Sequence, residues 1–179
     1  MKRALTCAAL AALCGVCNAA APYAGQQTRP IKALSQQEVA EIQEGKGMGL
    51  AKAAELNGYP GPLHVIENAE ALALSDAQLL RSQEIFDAMK ARAIEVGEEL
   101  LQAERDLDGM FREHRTERAP MAAALRRIGE LQAQLRGIHL QAHVDQVALL
   151  DDAQLERYSE LRGYASADAE SHNAGRAHH

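Results

Sequence analysis

The sequence predicts an all-α protein: a long antiparallel helical hairpin that carries short flanking helices. Three observations predict it. Aromatic residues make up only 3% of 179 residues and Trp is absent, a composition that favours helix over sheets built from aromatic and β-branched strands. One helix-start pattern occurs three times along the chain. Two long stretches place apolar residues in alternating steps of three and four. The formal charge of −6 and pI of about 5.6 mean that no global field attracts nucleic acid. The length suits one domain and excludes a multidomain enzyme.

The first element is a targeting signal. Met1-Lys2-Arg3 is a basic start, Ala4 to Val16 an apolar run, and Cys17-Asn18-Ala19 offers small residues at a signal-peptidase site. The run is short and rich in Ala, which favours cleavage over a retained membrane anchor. Cys7, Cys14 and Cys17 all lie inside this segment. The exported chain therefore has no thiol and suits an oxidising compartment such as the periplasm.

Leu34-Ser35-Gln36-Gln37-Glu38-Val39 is the first helix start: Ser35 can cap, Glu38 follows three residues on, and Leu34 can staple onto Val39. The same grammar returns at Leu74-Ser75-Asp76-Ala77-Gln78-Leu79 and at Leu150-Asp151-Asp152-Ala153-Gln154-Leu155. Gly45-Lys46-Gly47-Met48-Gly49 breaks the first helical region; it lacks the preceding strand and the ending of a phosphate loop. Asn57 to Pro62 is a turn cluster, so a short helix is expected from Leu63 to about Ala73. From Ser75 to about His114 the apolar positions are Phe86, Met89, Ala93, Val96, Leu100, Ala103, Leu107 and Met110, a coiled-coil-like seam. Arg115 to Ala119 forms a polar connection and Pro120 suits a first helical turn. The seam resumes at Met121, Ala124, Ile128, Leu131, Leu135, Ile138 and Ala142, and two such seams joined by a short loop fold back on each other. A last helix is expected from Asp152 to about Tyr164. The chain thus divides into a signal peptide (1–19), an extension with short helices (20–62), the hairpin domain (63–164) and a disordered His-containing tail (165–179).

The paired signals Leu74 to Gln78 and Leu150 to Gln154, flanking a helical hairpin in an exported chain, resemble the LTxxQ motifs of the Spy/CpxP-like periplasmic stress proteins. The chain also looks like the related CnrX and ZraP-type heavy-metal sensors. The resemblance covers residues 63–164, with Ser75 and Asp151 in place of the motif Thr. It implies a homodimeric, ATP-independent chaperone for misfolded envelope proteins, with transition-metal binding. The alternative it implies is a metal sensor acting on a membrane signalling partner. A helical interaction module with neither property is a third reading.

His139 and His143 stand four apart, on one helix face, and can chelate a divalent metal if further ligands join. The fold-back places them opposite Met89 to Ala93, with Glu84 and Asp87 in reach. His64, with Glu67 one turn on, and the His139/His143 pair resemble the ligand positions of the CnrX-like sensors. Asn68 and His143 depart from that pattern, and Phe86 falls near the expected carboxylate. The candidate ligands are therefore His64, Glu67, His139 and His143; the competing view makes the latter pair structural. Without a thiol, the donors suit Zn, Ni, Co or Cu(II) rather than Cu(I). His172, His178 and His179 form either a natural metal tail or a purification remnant.

Leu80, Ile85, Ile94, Leu101, Phe111, Leu125 and Leu140 lie off the seams, for the flanking helices, a dimer or a client to cover. The tip carries Arg112, Arg115, Arg118, Arg126 and Arg127, either a client-binding charge cluster or a solvated end. The serines lack a nucleophile-elbow context and the carboxylates form no secluded pair, so no enzyme is expected.

Overall fold

The computed structural model describes residues 21–164, and the expected signal peptide and His tail lie outside the described residues. Six helices follow one another: α1 (Gln36–Gln43), α2 (Lys52–Glu55), α3 (Pro62–Glu67), α4 (Asp76–Arg112), α5 (Arg118–Val147) and α6 (Asp152–Leu161). No strand occurs among the described residues.

All three start signals form complete capping boxes. Ser35, Ser75 and Asp151 each accept from the backbone N–H three residues on, and Glu38, Gln78 and Gln154 reach back to the cap N–H. The second and third boxes also clasp each other. Gln78 Nε2 donates to Gln154 Oε1 at 2.8 Å and to Leu149 O at 2.8 Å, while Gln154 Nε2 donates to Gln78 Oε1 and Leu72 O. The recurring glutamine therefore does more than cap; it ties the start of α4 to the start of α6.

At 1.5 Å per residue the 37 residues of α4 span about 56 Å. The tip turns where His114 takes a left-handed φ of 56°, with Arg115 N–H closing onto Met110 O at 2.8 Å. The two seams meet as their spacing requires. Ala93 and Leu100 of α4 pack in one core with Ile128, Leu131, Leu135 and Ile138 of α5, with Met89, Val96, Ala103 and Leu107 at its edge. At about 25 cal/mol per Å2 of apolar surface, each fully buried Leu here contributes about 1.5–3 kcal/mol.

A second, smaller core of Val65, Leu72 and Tyr158 joins α3 and α6 at the open end of the hairpin. The chain from α1 to α3 links the two cores, with Ile42 of α1 in the first and Val65 of α3 in the second. Lys32 pairs with Asp108 at 3.0 Å, and α1 lies against α4 where Gly97 leaves room for Ile42. Two expectations need correction. The helix after Pro62 stops at Glu67 rather than near Ala73, because Asn68 donates its side-chain N–H to His64 O at 2.7 Å and ends the helix. α6 stops at Leu161 because Gly163, at φ 74°, lets Tyr164 N–H bond back to Ser159 O. Leu101, one of the positions off the seam, is covered within the chain and only 1% exposed. It lies one turn beyond Gly97, under the segment that carries Ile31 and Ile42. Leu80, Phe111 and Leu125 do remain exposed.

Three of the five tip arginines are paired. Arg112 pairs with Asp108, Arg115 with Glu113 and Arg127 with Glu99.

Candidate metal centre

The Gly45–Gly49 segment shapes this region. Gly45 (φ 65°) ends α1 in a left-handed cap, with Lys46 N–H bonded to Glu41 O, and Met48 (φ 44°) and Gly49 (φ 78°) turn the chain again. The segment lies over α5, with Gly47 against the His139 ring. The Tyr59–Pro62 turn approaches α5 one turn further on, at His143.

His64 and His143 come together. Both line a cavity of about 640 Å3 with Glu44, Phe86, Met89 and Lys90. Both also line a second cavity of about 360 Å3, with Glu55, Lys52 and Arg162. His143 Nδ1 lies 2.7 Å from Tyr59 O. A carbonyl only accepts, so Nδ1 carries the proton and Nε2 the lone pair, the arrangement found in metal-ligating histidines. His64 Nδ1 lies 3.1 Å from Glu67 Oε2, and the same argument leaves its Nε2 as the donor atom for a ligand.

Glu67 is bonded to His64 and lines neither cavity. His139 is also set apart. It is 3% exposed, lies outside both cavities, and its Nε2 has no hydrogen-bond partner. Burial first, and then the neighbouring His143, hold its pKa below the ordinary histidine value. Of the carboxylates expected in reach, Glu84 pairs with Arg81 and Asp87 accepts from Gln83. The carboxylate that reaches the histidines is Glu55, 3.8 Å from His143 Nδ1. A four-residue helix in the extension gave no sequence signal for it.

Among the described residues no three His, Cys, Asp or Glu side chains form a ready-made cage. The chemistry of the donors nonetheless fits a borderline divalent ion: two imidazole nitrogens with their other nitrogens engaged, beside a carboxylate. Of these donors, His64 and His143 are the two that line both cavities.

Two predictions follow from this packing. A Cβ at Gly61 would stand 3.0 Å from His143 Cε1 and 3.2 Å from Nε2. Gly61→Ala is expected to displace the His143 ring and, for the metal site proposed below, to weaken Zn(II) binding about tenfold, read by calorimetry. The second concerns His139. Its folded pKa lies below the unfolded 6.5, so the unfolded chain binds the proton first as pH falls. The stability this residue allows is complete above pH 6.5 and declines as pH drops toward the folded value. Urea midpoints measured without metal from pH 7.5 to 5 should show that decline, and His139→Leu should flatten it.

No helix among the described residues is long and apolar enough to cross a membrane. No family model, curated protein or solved structure matches the chain.

Proposed function

We propose that this chain is an exported envelope-stress protein of the Spy/CpxP type. It holds misfolded proteins without ATP and binds a divalent transition metal between His64 and His143. The observation that carries the metal reading is the pairing of two imidazoles on shared cavities, each with its Nδ1 committed to an oxygen. Client binding is supported by a groove of about 810 Å3, in which Leu34, Met48 and Leu50 lie beside Glu38, Glu41, Glu104 and Arg136 above the buried Ile42, Leu100 and Leu135. Such a mixed surface offers an unfolded segment apolar contact together with polar anchoring. Export to the periplasm rests on residues 1–19, and the family reading on the motif pair around Gln78 and Gln154.

Light scattering of a reduced, unfolding test protein examines this directly, with and without Zn(II). The full chain should suppress aggregation, and Zn(II) should change the extent of suppression. His64→Ala with His143→Ala should keep the suppression and lose its response to metal. Aggregation that proceeds unhindered under both conditions would remove the chaperone reading.

A second reading, a metal sensor that acts on a membrane partner, is favoured by one observation. Glu55, beside the histidines, is also held by residues of the C-terminal helix and the turn after it, so occupancy has a route to the surface of the molecule.

A further inference from the structure

The groove of about 810 Å3 joins apolar walls to an excess of negative charge. Leu34 and Leu50 are half-buried in it and Met48 is 39% exposed, over the floor of Ile42, Leu100 and Leu135. Met48 holds a left-handed φ of 44° in the Gly45–Gly49 segment, and an unbranched thioether at a rim adapts to varied apolar side chains. On the α5 side the lining is small. Gly129 and Ala133 stand one turn apart, both exposed, and a Cβ added at Gly129 would meet nothing within 4 Å. That side leaves room for an extended chain.

The charge is one-sided. Glu38, Glu41 and Glu104 line the groove against one cation, Arg136. Glu38 accepts from the Ser35 N–H at 2.8 Å and Glu41 from Gln37 Nε2 at 2.9 Å. Both donors are neutral, so both carboxylates keep their charge. Glu104 is half-buried, and burial alone pushes its carboxyl above the ordinary value, with no cation among the described residues to offset it. A carboxylate in such partly apolar surroundings attracts a cation more strongly than one in open water.

We infer that the groove takes an extended segment of unfolded polypeptide in which a lysine or arginine stands between apolar residues, with Glu104 as the anchor for that cation. This rests on the client reading above and names the class of client. The apolar neighbours of the cation pack on Leu34, Met48 and Leu50, while the cation itself completes a charge balance that Arg136 alone leaves unequal. An acidic segment would meet three carboxylates and is disfavoured by the same charges.

Calorimetry on the full chain tests this with short peptides of one apolar sequence that carry lysine, glutamine or glutamate at the same positions. The lysine peptide should bind about tenfold more tightly than the glutamine peptide, the size of one charge-assisted contact, and the glutamate peptide more weakly still. Added salt should narrow the difference. Glu104→Gln should lower the affinity for the lysine peptide about tenfold. Gly129→Phe, which places a ring in the open side of the groove, should weaken both the lysine and the glutamine peptide. Aggregation suppression is measured on the same samples. Equal affinity for those two peptides, both weakened by Gly129→Phe, would overturn the preference for a basic segment and leave a client groove standing. A lysine preference that survives Glu104→Gln would remove Glu104 as its anchor, and binding that Gly129→Phe does not touch would overturn the assignment to this groove. A chain that suppresses aggregation without binding the peptides would overturn this inference alone; one that does neither would overturn the client reading with it. A second copy seated in the groove would appear in sedimentation as a dimer that Gly129→Phe dissociates, and would overturn the inference as well. Should Glu104→Gln fail to fold, the peptide series and Gly129→Phe decide alone.

Discussion

Leu101→Ala is expected to cost about 2–5 kcal/mol, the range for emptying a fully buried leucine site. Leu101 is 1% exposed, although it sits beside Leu100 and outside the α4/α5 seam. Its cover must therefore come from the extension that precedes the hairpin. Ile31 and Ile42 belong to the same core, and the Lys32–Asp108 pair fastens that segment further along α4. Urea or thermal denaturation measures the effect. A loss below about 1 kcal/mol would mean that the extension covers Leu101 only loosely. It would also remove the support on which the Gly45–Gly49 segment rests.

Gly97→Ala should destabilise, against the usual gain from replacing a helical glycine. Alanine is favoured in a helix interior by about 0.8–1.0 kcal/mol. At this position a Cβ would stand 2.8 Å from Ile42 Cγ2 and 2.9 Å from Ile42 O. The second contact is with backbone, so α1 itself must move, and overpacking of this kind costs about 1–3 kcal/mol. Gly137→Ala is the matched control. Gly137 is an exposed helical position where a Cβ meets nothing within 4 Å, so only the propensity gain remains. Opposite signs for the two variants in denaturation experiments are the expected result. Equal stabilisation would mean that α1 does not approach α4 as closely as Gly97 permits.

These two positions mark where the sequence stops being legible. The hairpin could be read because its information is periodic: Ala93, Leu100, Ile128, Leu131, Leu135 and Ile138 repeat at steps that only a helix pair can bury. Helix starts were equally plain, since a capping box is local chemistry within four residues. The extension has neither advantage. Ile31 and Ile42 belong to no repeat, so nothing in the sequence says that they cover Leu101. Gly97 signals that something approaches α4, but it does not name Ile42.

The site shows the same division. His64 and His143 are visible in the sequence as donors, and both line a cavity with Met89, part of the Met89 to Ala93 stretch that the fold-back sets opposite the His139/His143 pair. His139 looked equivalent to His143 by spacing. The difference comes from distant chain segments: Gly47 covers one ring, whereas Tyr59 O engages the other. Glu55 is one of many carboxylates, and its partners Tyr158, Arg162 and Tyr164 lie over a hundred residues away. A contact of that range leaves no local pattern. The clasp between Gln78 and Gln154 is intermediate. Its members were singled out as motif residues, but their meeting depends on α6 returning to the start of α4.

The most direct test of the metal site is a calorimetric titration of Zn(II) into the full chain with its three tail histidines replaced by Ala. His64→Ala/His143→Ala, made in the same background, is titrated beside it. The proposed site predicts one ion per chain, bound at least 100-fold more weakly in the double variant, because both histidine ligands are gone. No heat of binding in the parent, or equal affinity in both proteins, would contradict a metal site between these histidines.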